Sequence, residues 1–133
     1  MLLAVFNYSQ NVGIPYKGVL LDSWWYFKGV GGGVLNWTAR PDVFTGGNAG
    51  IRALVEQTGW QIIAHNRYWS ANTNYAKQNG GDFDFFIDAA GTGDMAVPLT
   101  MDFWQWLLTS SVKEWGLSTY EQVRGEGARA RFF

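Results

Sequence analysis

A chain of 133 residues with 47% hydrophobic and 16% charged residues has room for one domain with a sizeable core and is too apolar to stay disordered. A formal net charge of −1 gives no electrostatic basis for nucleic acid or an anionic membrane as partner. The absence of cysteine excludes disulfides, zinc–thiolate sites and thiol nucleophiles, and no apolar run approaches the ~20 residues of a membrane span.

Taken in chain order, residues 2–12 are expected to form a helix with Leu2, Phe6 and Ser9 along one face. Gly13 supplies its left-handed stop, and Pro15 prevents continuation. The opening MLLAVF is too short, and lacks the preceding basic residues, to serve as a signal peptide. Residues 17–22 then read as a strand covered on both faces, because the run is apolar without alternation. A glycine-rich loop is expected from Ser23 to Gly47. Asn48 is placed to cap a second helix bearing Ile51, Leu54 and Val55, and Gly59 to end it. A second strand follows at residues 60–65, and then a long connection over 66–98. Within that connection Phe83, Phe85 and Ile87 alternate with Asp84 and Phe86, the pattern of a short strand or hairpin. Thr100 is placed to cap a third helix, Met101 to Trp115, with Phe103, Trp106, Leu107 and Ser110 inward. Gly116 stops it, and residues 117–121 read as a third strand.

This helix–strand alternation predicts an α/β fold with a parallel sheet. The long connections follow the strands while the helix-to-strand turns are short, which is the barrel pattern. The expected fold is therefore a partial (β/α)8 TIM barrel of about three βα units over residues 1–122. Residues 123–133 form an atypical Arg/Gly/Ala tail without hydrophobic periodicity, read as foreign to that fold.

Eight tryptophans in a 17% aromatic chain are unusual, and several lie in stretches rich in Gly, Asn and Ser. Aromatic rings on loops are platforms for sugar rings, whose C–H faces match their flat apolar surfaces. Parallel strands would bring Asp22, His65 and Glu121 to one end of the sheet. Asp22 precedes Ser23-Trp24-Trp25, and a carboxylate beside such rings suits a sugar diol, accepting two hydrogen bonds. Alternatively, Asp22 caps its loop and the tryptophans pack on helices. His65 opens the run Asn66-Arg67-Tyr68-Trp69, and as the single histidine it excludes a multi-histidine metal centre. Glu121 faces Asp22 in this layout, and paired carboxylates are the machinery of glycoside hydrolysis. Equally, Glu121 closes a strand by bonding a neighbouring loop. The candidate substrate-binding set is Asp22, Trp24, Trp25, His65, Arg67, Trp69 and Glu121, with carbohydrate as partner and no cofactor or metal. The glycine run Gly29 to Gly33 opens no helix and lacks the Lys-Ser/Thr of a phosphate loop.

At these residues the chain resembles the α-galactosidase and raffinose-synthase-like clan of glycoside hydrolases. The resemblance rests on Gly13-Ile14-Pro15-Tyr16 leading to Leu20-Leu21-Asp22-Ser23-Trp24-Trp25, on Asn36-Trp37 with Pro41-Asp42-Val43-Phe44, on His65 to Trp69, and on Trp115-Gly116-Leu117 to Tyr120-Glu121-Gln122. It implies a (β/α)8 barrel that retains configuration at α-linked sugars through two carboxylates. Asp22 and Trp25 match an Asp-Asp-x-Trp motif that holds sugar hydroxyls, and Ser23 departs from its second Asp. The nucleophilic Asp is expected at position 123, where this chain has Val123, and the acid/base lies on a later strand. The resemblance thus implies a truncated hydrolase-like domain, inactive alone, that self-associates through an exposed sheet edge. Two other readings stand beside it. One is a non-catalytic carbohydrate-binding module using Trp24, Trp25, Trp37 and Trp69. The other is a flavodoxin-like fragment without a sugar role.

Overall fold

The computed structural model describes residues 1–88 and 94–122. The tail assigned to residues 123–133 lies outside the described residues. In chain order the elements are α1 (Leu2–Asn11), β1 (Gly18–Leu21), β2 (Tyr26–Lys28), β3 (Val34–Ala39), α2 (Asn48–Thr58), β4 (Gln61–Asn66), β5 (Trp69–Ser70), β6 (Phe85–Asp88), β7 (Met95–Pro98), α3 (Met101–Trp115) and β8 (Leu117–Gln122).

These form two sheets. A three-stranded sheet has the order β1-β4-β8 and is parallel throughout. A five-stranded sheet has the order β2-β3-β5-β7-β6 and is mixed, parallel between β3 and β5 and antiparallel elsewhere. The partial (β/α)8 barrel is therefore not what forms: the described residues make a small mixed α/β domain with two sheets and three α-helices. The segments expected as long loops after β1 and β4 supply all five strands of the second sheet. Their pattern was hidden for a physical reason. β2 and β3 pair with register shifts on both sides of Phe27, and β5 is only two residues long, so no period of two develops.

Among the described residues, the two faces of the parallel sheet are unequally covered. Leu21 and Ala64 are fully buried, and they share a register row with Tyr120. The row one step back, Leu20, Ile63 and Thr119, lies on the opposite face, where Leu20 is 48% exposed and Thr119 is exposed. Burial on both faces, expected for β1, is thus corrected: within β1 only Leu21 is buried, and Leu20 is exposed.

Helix ends follow backbone chemistry. Gly59 (φ 66°) and Gly116 (φ 82°) hold left-handed C-caps, a region that costs a side-chain-bearing residue about 1–2 kcal/mol. Asn48 does not cap α2; it is the first helical residue, and its Oδ1 accepts from the Ala39 N–H at 2.8 Å, tying α2 to β3. Thr100 makes no capping bond to the α3 backbone, and Asp102 Oδ1 takes the Phe103 N–H at 3.0 Å instead. The inner stripe of α3 is Phe103, Leu107, Ser111 and Trp115, while Trp106 is 43% exposed.

Tryptophans fill the core. Trp25, Trp37 and Trp115 form a triangle of edge-to-face contacts with centroids 5.2–5.6 Å apart. A second cluster surrounds Phe103, with Trp69 at 5.1 Å, Phe85 at 5.0 Å and Phe83 at 5.2 Å. Tyr120 joins the two through Trp37 (5.2 Å) and Trp104 (5.5 Å). Offset and edge contacts of this kind add about 0.5–1.5 kcal/mol each beyond area burial.

Candidate functional site

The carboxyl ends of β1, β4 and β8 set three candidate residues abreast. His65 and Glu121 are register partners. Leu21 pairs with Ala64, so Asp22, one residue on, comes level with His65. The His65 Nδ1 atom lies 3.6 Å from Asp22 Oδ1. By the alternation of a strand, these residues share the face that carries Leu20, Ile63 and Thr119. Sequence order alone predicted this convergence. It also foresaw the alternative role of Asp22, whose Oδ1 accepts from the Ser23 N–H at 2.6 Å and so braces its own loop.

The remaining candidates divide by burial. Trp24 is 40% exposed and stacks on Phe44 with centroids 5.9 Å apart. Arg67 is exposed just beyond β4, its guanidinium 5.6 Å from the centre of the Tyr68 ring. Trp25 is fully buried, Trp69 is 3% exposed and Trp37 is 1% exposed. These three rings pack the interior and offer no face to a ligand. The rim therefore consists of Asp22, His65 and Glu121, with Trp24 and Arg67 at its sides.

A buried polar layer lies behind the rim, and it was not read from the sequence. Asn66, fully buried, donates from Nδ2 to the Tyr120 hydroxyl at 2.8 Å. Gln122 Nε2 reaches the carbonyls of Asn66 and Arg67, both at 3.2 Å, and fastens the end of β4 to β8. Burial pushes the Tyr26 phenol up from 10.0 to about 12. Its only sequence signal was the polar character of Asn66 and Gln122 at strand ends.

Among the described residues, His65 Nδ1 and Asn66 Oδ1 are buried without a hydrogen-bond partner. Folded proteins leave few such atoms unpaired, because each costs about 1–3 kcal/mol. The Trp25 and Trp69 indole nitrogens are also unpartnered, inside the aromatic core.

The spacing of the carboxylates constrains chemistry. Asp22 and Glu121 sit on strands separated by β4, so their backbones are two strand spacings apart, about 9.6 Å. Retaining glycosidases place their carboxyl groups about 5–5.5 Å apart and inverting ones about 6.5–9.5 Å. His65, its side chain 10% exposed, stands on the strand between Asp22 and Glu121, with Nδ1 3.6 Å from Asp22 Oδ1. Among the described residues, no group of three or more His, Asp or Glu side chains is arranged to hold a metal ion. No known protein-family model, curated protein or solved structure matches the chain.

Proposed function

We propose that this chain is a non-catalytic carbohydrate-binding domain that holds a sugar ring at the carboxyl-terminal rim of its parallel sheet. The observation that carries this reading is the row Asp22, His65 and Glu121, with His65 Nδ1 at its centre buried and without a hydrogen-bond partner among the described residues. Two carboxylates accept from vicinal hydroxyls, and an imidazole both donates and accepts, which suits a polyhydroxylated ring. Arg67 supplies donors to ring or hydroxyl oxygens, and Trp24 offers one exposed aromatic face.

The test is calorimetric titration of the chain with glucose, galactose, mannose and their α-linked disaccharides, alongside Asp22→Asn and Glu121→Gln. Saturable binding weakened about tenfold or more by either variant is expected, since a charge-assisted hydrogen bond contributes about 1.5–3 kcal/mol. Binding unaffected by both variants would remove the rim as the site. Release of free sugar from the disaccharides would replace the binding reading with hydrolysis.

A further inference from the structure

The geometry points to a second, apolar subsite beside the rim, and we infer that the ligand is a glycoside whose apolar aglycone lies in it. The inference rests on the carbohydrate-binding reading and names the ligand class more closely. A groove of about 350 Å³ runs between the start of α1, the outer side of α2 and the loop carrying Val43 and Phe44. Its walls include Leu2, Leu3, Trp24, Phe44, Ala53 and Leu54, and Gln57 is its one amide side chain. That volume falls in the lower range of small-molecule sites, which are about 300–1,000 Å³ and mostly apolar. It suits an aryl ring or a short alkyl chain.

Trp24 joins the groove to the rim. It lines the groove and stacks on Phe44, yet it stands two residues after Asp22, and its N–H donates to the Asp22 carbonyl at 2.8 Å. Two Cα steps limit the separation of those backbones to about 7.6 Å. The rim carboxylate and the groove's indole are therefore close neighbours along one loop. Without a ligand, the ring leaves 40% of its surface in water. An apolar aglycone would cover it, gaining the transfer free energy of its own surface together with that of the indole.

The experiment titrates the full chain with methyl and phenyl α-glycosides of one hexose, and with phenol alone. The phenyl glycoside is expected to bind about tenfold or more tightly than the methyl glycoside, as burial of a ring predicts. The groove-filling Ala53→Phe is expected to erase that difference and leave the methyl glycoside's affinity within about threefold, whereas Asp22→Asn weakens both glycosides alike. Equal affinity for the two glycosides overturns the aglycone subsite and leaves the sugar reading standing. So does an affinity gap that survives Ala53→Phe. If phenol binds the groove and neither glycoside engages Asp22, the sugar reading fails. If no probe binds, both fail.

Discussion

The Trp37 indole N–H donates to the His65 carbonyl oxygen at 3.1 Å, across 28 residues of sequence. The aromatic core thereby fixes the backbone of the residue at the centre of the candidate site. Trp37 is 1% exposed and touches Trp25, Trp115 and Tyr120. Replacing it with Phe leaves the His65 carbonyl without that donor and opens space in the tryptophan triangle. A loss of about 2–4 kcal/mol is expected. Urea unfolding followed by circular dichroism reads it, and an unchanged midpoint would contradict the role given to this bond.

Gly116 ends α3 at φ 82°, and a Cβ there would meet Val55 side-chain carbons at 3.5 Å, an ordinary contact. The cost of Gly116→Ala is therefore that of the backbone alone, about 1–2 kcal/mol. Gly116→Asn is expected to cost less, because asparagine tolerates the left-handed region. Equal losses for the two variants would show that packing against Val55 decides instead.

Alkaline pH is expected to weaken the fold in a defined window. Burial raises the Tyr26 and Tyr75 phenols from 10.0 to about 12, and it raises that of Tyr120 as well. Unfolded, these groups release protons near 10.0, whereas folded they remain neutral to about 12. Between those values the unfolded state binds fewer protons, so stability falls as pH rises. The contribution is complete below pH 10 and is lost by about 12. Thermal midpoints measured across the window check this, and a midpoint that does not fall there refutes it.

The outer edge of β1 has no strand partner among the described residues, and Leu20, Tyr16 and Ile14 are exposed near it at 48%, 50% and 65%. Unpaired edges beside apolar surface recruit other strands. The chain is expected to self-associate with rising concentration, and Leu20→Lys to suppress this. Sedimentation velocity reads both, and a wild-type chain that stays monomeric across concentrations removes the expectation.

How much of this was legible depended on the kind of signal. The glycine stops at 59 and 116 and the three parallel strands were readable, because apolar runs and left-handed caps are local features. So was the convergence of Asp22, His65 and Glu121, which follows from parallel order. The second sheet was not readable, since its register shifts and the two-residue β5 break the period of two. The aromatic residues misled for a related reason. Trp25, Trp37 and Trp69 sit among Gly, Asn and Ser that resemble loop sequence, yet they lie on or beside second-sheet strands whose inner face is the core.

The central claim is that sugar binds at the ends of β1, β4 and β8. Amide and indole chemical shifts, followed by nuclear magnetic resonance during titration with glucose, galactose and mannose, test it most directly. The account predicts saturable shifts centred on Ser23, Trp24, His65, Asn66, Arg67 and Gln122 with at least one sugar, abolished in Asp22→Asn. Shifts that never saturate with any of the three, or that map to a surface away from these residues, would contradict it.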